Sequence, residues 1–342
     1  MARVFITGAN GHIGTHTTRE VLKRGHKGVA FVRRTSDLRG LEGLDLDFRY
    51  GDIMNFASVQ EAIAGCDVVI HLATEYRSWD PDPGKIIDPA VVGARHIFEA
   101  ARQAGVKRLI YVSSGAAIGY GWSPDEIRTP DDWNTEAKNA YYVGKTDSER
   151  EAWRMAKSTG VPMLSFCPTI ILGPLDYRIT PSNGFIRDLL DGKQMTYIGG
   201  SNYGDVRDAA GVLASAVEVG SPGERYIIGG ENIPLARLRD LLADLTGIRP
   251  GYMQLPRPLV LAIASVTEAL GRLTRTEPRF TYGLVHENYA RYAYFDCSKT
   301  YQTFGYLPRD TREMLEDCID WLIEIEALQP RTIQRIQTHR SR

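Results

Sequence analysis

The chain has 342 residues, 43% of them hydrophobic and 24% charged, a balance that belongs to folded globular proteins and excludes global disorder. Lys and Arg total 41 against 42 for Asp and Glu, so the net charge of -1 gives no reason to expect a nucleic-acid or membrane partner. The length suits one large α/β unit with a smaller appendage.

Met1-Ala2-Arg3 runs straight into the apolar Val4-Phe5-Ile6, which leaves no room for a signal peptide and sets the expectation of a cytoplasmic protein. Cys66, Cys167, Cys297 and Cys318 lie far apart, without metal-ligand spacing, and read as buried, reduced thiols; no metal is expected. Short β-branched runs then alternate with helical patterns. Strands are predicted at 4–7, 28–33, 46–49, 67–73, 107–113 and 161–167, and helices at 12–24, 56–64, 89–104 and 141–158. This is the pattern of an α/β Rossmann fold, a doubly wound parallel sheet occupying residues 1–170. Beyond 171 the elements shorten. The stretches 212–217 and 224–228 are expected to return to the sheet, placing residues 203–228 with the core, and the rest of 171–328 is expected to form a small C-terminal substrate-binding lobe. The apolar run 259–264 is far short of the roughly 20 residues a membrane span needs and reads as a core-facing or pocket-facing helix. Residues 329–342, with Arg331, Arg335, Arg340 and Arg342, read as a solvated, partly disordered tail.

The first strand ends in Thr7-Gly8-Ala9-Asn10-Gly11-His12-Ile13-Gly14. Glycines that follow a strand and open a helix permit tight turns and close approach, so a pyrophosphate can rest on the free N–H groups of the helix. A nicotinamide dinucleotide is the ligand this predicts. At the end of the second strand an NAD site usually has an acidic residue for the ribose, whereas this chain has Arg33-Arg34, two guanidinium groups suited to a 2′-phosphate. NADP(H) is therefore the preferred cofactor and NAD(H) the alternative. Asp52-Ile53 suits the adenine edge, and Leu72-Ala73-Thr74 suits close passage of the ribose.

With Gly51-Asp52, His71-Leu72-Ala73, Ser113-Ser114, Tyr141-x-x-x-Lys145 and the late Phe304-Gly305-Tyr306-Leu307-Pro308, the chain resembles the extended short-chain dehydrogenase/reductases over nearly its whole length. The resemblance implies Tyr141 as general acid/base, Lys145 as its electrostatic partner and ribose ligand, and Ser114 as the carbonyl anchor, with Ser113 as the fallback. The chemistry agrees. A reduced ketone needs a proton, a phenol can supply it, and a lysine four residues on lies on the same helix face, where its charge favours the phenolate. Tyr142 is the rival for Tyr141 but lacks the spacing. The family's relay Asn is replaced by Ala90. Homodimerisation through the helices near 89–104 and 141–158 is expected by analogy.

Gly115-Ala116 stands where dehydratases of this kind carry Asp-Glu, and Pro168-Thr169-Ile170 resembles the Pro-Thr stretch of dihydroflavonol reductases, with these residues near the cofactor. Other segments, around Tyr76–Pro83 and Gly223–Asn232, are similar to the hopanoid-associated sugar epimerase branch. The resulting expectation is reduction of a small-molecule ketone or aldehyde to an alcohol. The rivals are a sugar or nucleotide-sugar epimerase and a non-catalytic NADP(H)-sensing regulator. Tyr76, Trp79, Tyr120, Trp122, Tyr177 and Tyr203 are the aromatic residues expected to line the substrate cleft, with Asp176 and Arg178 adding polar contacts.

Overall fold

The computed structural model describes residues 1–73, 79–278 and 280–341. Strand β1 (Arg3–Thr7) is followed by α1 (His12–Lys23), β2 (Lys27–Val32), β3 (Leu46–Tyr50), α2 (Phe56–Ile63), β4 (Val68–His71), α3 (Gly84–Gln103), β5 (Arg108–Val112), α4 (Ala140–Thr159) and β6 (Met163–Pro168). The second half comprises β7 (Ile170–Leu172), α5 (Pro181–Leu190), β8 (Met195–Tyr197), β9 (Gly200–Asp205), α6 (Val206–Ser215), β10 (Arg225–Ile228), β11 (Glu231–Pro234), α7 (Leu235–Thr246) and β12 (Gly251–Met253). It ends with α8 (Arg257–Thr274), α9 (Tyr282–Asn288), β13 (Tyr292–Ala293), α10 (Ser298–Phe304), α11 (Thr311–Glu324) and α12 (Pro330–Arg340).

Among the described residues the central sheet has seven parallel strands, ordered β3-β2-β1-β4-β5-β6-β10. Its inner strands β1, β2, β4, β5 and β6 are near-continuous apolar runs because both faces are covered, while the edge strand β3 alternates with Asp47 and Arg49. Val4 and Ile6 pack to one side with Val21, Val206 and Leu213, while Phe5 packs to the other with Val59, Ile97 and Phe98. Truncating Phe98 to alanine removes a fully buried ring and costs about 3–5 kcal/mol. The strand order reverses between β1 and β4, and the crevice at their carboxyl ends is where ligands bind in such sheets.

A separate core joins Leu172, Ile186, Leu238, Leu242, Leu315 and Leu322. The 224–228 strand and the 212–217 helix do return to the sheet, as β10 beside β6 and as α6 packed on α1. Three expectations change. Helix α3 starts a turn before Pro89, which forfeits one backbone bond at most. The tail from Pro330 is no disordered end but a helix whose Ile336 is buried in the lobe core, beside α7. The apolar run 259–264 lies on α8 with Leu259 and Ile263 facing solvent.

Candidate active site

The turn between β1 and α1 is built around two glycines. Gly8 has φ +67°, and a Cβ there would stand 2.9 Å from the Ala73 amide nitrogen. A Cβ on Gly14 would sit 2.0 Å from the Gly8 carbonyl oxygen. Gly11 donates its N–H to the Gly8 carbonyl at 3.0 Å and caps α1 with no side-chain acceptor. The first turn of α1 carries no acidic residue, so its orphan N–H groups are left for an anion. A dinucleotide pyrophosphate fits such a cradle. Thr7 ties the β1 and β4 ends together: its Oγ1 accepts from the Ala73 N–H at 3.1 Å and lies 2.8 Å from His71 Nδ1. Burial pushes the His71 imidazole down to about 3, with the Lys145 charge adding to it, so the ring beside the Thr7 hydroxyl is neutral.

Other predicted loop residues make contacts within the chain. Asn10 donates a side-chain N–H to the Asp37 carbonyl at 3.2 Å, holding the loop after β2. His12 is buried and points its Nε2 at the Pro174 carbonyl, 3.0 Å away, and His16 does the same at 2.9 Å. The His12 ring therefore joins α1 to the lobe, and Ile13 packs partly buried against the sheet. Arg33 and Arg34 are exposed just past β2, with Arg34 lying 5.1 Å over the Tyr50 ring. Asp52 is exposed and turns back on the Met54 N–H at 2.9 Å. The Ile53 carbonyl accepts from His96 Nδ1 at 2.8 Å. Leu72 and Ala73 are half-buried at the end of β4, Pro168 ends β6, and Ile170 opens β7. Thr169 donates its hydroxyl to Asn202 Oδ1 at 2.9 Å. Thr74 and Tyr76 lie outside the described residues.

On α4, the Asn139 side chain caps the helix by accepting from the Tyr141 N–H at 3.0 Å. One turn on, Lys145 is buried with its Nζ 5.9 Å from the Tyr141 ring centroid. Burial lowers that ammonium to about 8, against the pull of Cys167 and Glu149. Tyr142 is turned away, its hydroxyl donating to Asn288 Oδ1 at 3.2 Å. The two serines separate clearly. Ser113 is buried and donates to Glu149 Oε2 at 2.7 Å, whereas half-buried Ser114 accepts from the Ala116 N–H at 3.2 Å and keeps its proton to donate. The short turn after Ser114 packs on α4, which brings Ser114 to the helix that carries Tyr141 and Lys145. The Ala90 carbonyl accepts from Ser148 Oγ at 3.2 Å, and Ser148 also hydrogen-bonds the Tyr111 hydroxyl.

Of the expected cleft aromatics, Tyr120 is brought close: its ring meets Tyr142 edge-on at 5.7 Å, and Tyr142 meets Tyr141 at 5.8 Å. Trp122 lies near it, with the Arg291 and Arg257 guanidinium groups 3.7 and 4.6 Å from its ring centroid. Trp79 is half-buried, its indole N–H without a partner among the described residues. Tyr177 and Tyr203 depart from expectation. Tyr177 is taken up between Arg39, 4.9 Å over its ring, and Trp321, and Tyr203 is 1% exposed inside the lobe core. Asp176 is also buried, accepting twice from Thr180 at 2.7 Å, and Arg178 is exposed. Sequence reasoning missed the Glu149–Arg225 ion pair beneath the site. An arginine opening an apolar strand was its signal.

The sequence profile of the NAD dependent epimerase/dehydratase family matches residues 4–229. The chain belongs to this family. It is 31% identical over 328 residues to sterol demethylase protein B of Methylococcus capsulatus, covering 94% of this chain and 98% of that one. It is 32% identical over 256 residues to cinnamoyl-CoA reductase 2 of Arabidopsis thaliana, covering 70% and 76%. The crystal structure of gox2253 matches with a TM-score of 0.83 at 30% identity, covering 96% of this chain and 100% of that one. This family member is an NAD(P)-dependent oxidoreductase enzyme, as its motifs implied.

Proposed function

We propose that this enzyme is an NADPH-dependent carbonyl reductase that interconverts a ketone or aldehyde and its alcohol. The observation that carries the reading is Tyr141 with buried Lys145 one helical turn away. The Gly8–Gly14 loop would hold the pyrophosphate and Arg33 and Arg34 the 2′-phosphate, and NADPH bound there would supply the hydride. Ser114 Oγ–H donates to the substrate carbonyl oxygen, and the Tyr141 hydroxyl gives that oxygen its proton. Lys145, cationic for the most part at pH 7 with its ammonium at about 8, stabilises the phenolate that remains. Ser148, bonded to the Ala90 carbonyl on the facing helix, offers a hydroxyl where the family's Asn is missing.

The run Tyr141, Tyr142, Tyr120 favours an apolar or aromatic substrate. The names of two relatives, one a sterol demethylase protein and one a cinnamoyl-CoA reductase, support the same class. The working form in this reading is a homodimer paired through the outward faces of α3 and α4, which a dimer mass by light scattering at micromolar concentration tests. For the chemistry, NADPH oxidation is followed spectrophotometrically against aromatic ketones, steroid ketones and keto-sugars. Turnover with one of the first two classes is the expected result. Sugar inversion with retained NAD and no net redox change would instead make the protein an epimerase.

A further inference from the structure

We propose that Glu149 and Arg225 are positioning residues for Lys145: the carboxylate keeps a negative charge one helical turn beyond the ammonium, and Arg225 occupies it so that it cannot close an ion pair with Lys145. This rests on the reading of Lys145 as the partner of Tyr141. Tyr141, Lys145 and Glu149 follow one another at intervals of four on α4 and share one face. Lys145 is 9% exposed and Glu149 is fully buried. Left to themselves two such neighbours would pair, and the ammonium would spend its charge on Glu149 rather than on the Tyr141 phenolate. Among the described residues no carboxylate lies within 4.0 Å of Lys145 Nζ.

Every acceptor site of Glu149 is taken. Its Oε1 accepts from Arg225 Nε at 2.8 Å and Ser165 Oγ at 2.6 Å, and its Oε2 from Arg225 Nη2 at 2.8 Å and Ser113 Oγ at 2.7 Å. A carboxylate has about four lone-pair sites, so none is left for Lys145. Arg225 is itself held from behind, its Nη1 donating to the Pro130 carbonyl at 3.0 Å and to the Asp132 carbonyl. A buried ion pair is seldom worth more to stability than apolar packing of the same size, so stability alone does not account for this one. The other groups around Lys145 do not change charge near neutrality. His71 on β4 is neutral above about 3, burial pushes the Cys167 thiol on β6 up to about 12, and burial raises the Tyr111 phenol on β5. Helix α3 meets this turn of α4 through Ile86, Ile87 and Ala90, none of them titratable. Burial brings the Lys145 ammonium down to about 8 against Cys167 and Glu149, and a neutral thiol leaves Glu149 as the anion that steadies it.

The test is a pH titration, by NMR, of the full-length protein enriched in the NMR-active carbon isotope at lysine Cε, run beside the pH profile of NADPH oxidation. The Lys145 signal is the one lost in Lys145→Met, and its wild-type midpoint is expected at about 8. Glu149→Gln should lower that midpoint by about one pH unit, and Arg225→Leu should raise it by about as much, because the carboxylate then acts undamped. Glu149→Gln/Arg225→Leu strands no charge, which keeps the test open should a single variant unfold, and it should titrate below the wild type as Glu149→Gln does. The falling limb of the rate profile should move in the same direction in each variant. Mere loosening of the fold would not produce opposite shifts from the two single changes. A midpoint that neither Glu149→Gln nor the double variant moves overturns the proposal, as do shifts of the same sign in both single variants. Shifts in the carbon signal without shifts in the rate profile would support it and overturn instead the part given to Lys145 in reduction.

Discussion

Glu149 and Arg225 meet in a bidentate ion pair, 2.8 Å at each contact, with less than a tenth of either side chain exposed. The pair fastens α4 to β10 at the sheet edge, and Ser113 and Ser165 complete the carboxylate's hydrogen bonds at 2.7 and 2.6 Å. Arg225 also lies 4.0 Å over the Trp133 ring. Removing one partner strands a buried charge. Arg225→Leu should therefore cost about 3–5 kcal/mol in urea unfolding. A loss under about 1 kcal/mol would mean that water reaches Glu149.

Tyr141→Phe should lower turnover by at least about a hundredfold while leaving NADPH binding intact, because only the proton donor is lost. Tyr142→Phe removes a hydroxyl already bonded to Asn288 and should leave turnover within about threefold of wild type. Steady-state kinetics on both variants check the pair of outcomes.

The pH dependence follows from Lys145. Its ammonium sits at about 8 in the folded chain, below the value near 10 of an unfolded lysine. Between those values the unfolded chain binds the extra proton, so stability from this group rises as pH goes from about 8 to about 10. Lys145→Met should thus gain about 1–3 kcal/mol at pH 7, lose that gain by about pH 10, and abolish turnover. Reduction by the wild type should slow as pH passes about 8. Chemical unfolding and rate profiles across this range read both effects.

Arg33→Ala/Arg34→Ala should lower kcat/KM for NADPH by roughly ten- to a hundredfold and leave NADH within a few-fold, since only the extra phosphate loses its donors. An equal loss with both cofactors would remove the arginines from the 2′-phosphate site. Gly14→Ala should abolish cofactor binding by fluorescence titration, because its Cβ would collide with the Gly8 carbonyl.

The α/β order through residue 170 was legible because each strand and helix there carries its own periodicity, and the loop because Gly8, Gly11 and Gly14 act within one turn. Tyr141 and Lys145 were legible because four residues on a helix is one face. What escaped was decided by distant parts of the chain. Glu149 and Arg225 are 76 positions apart. His12 looks like a loop residue until Pro174 is seen beside it, Tyr203 looks like a cleft residue until the lobe core closes round it, and Tyr177 does so until Arg39 and Trp321 are seen against its ring. The apolar run on α8 reads as core in sequence, because apolar spacing does not say whether a partner element lies opposite.

The central claim is net reduction of a carbonyl at the expense of NADPH, with Tyr141 as the proton source. The most direct measurement quantifies, in one reaction on the ketone found by screening, NADPH consumed and alcohol formed, for wild type and for Tyr141→Phe. The account predicts equal amounts of both for the wild type, and a rate at least about a hundredfold lower for the variant. Product formed without net NADPH consumption, or a Tyr141→Phe enzyme as fast as wild type, would contradict it.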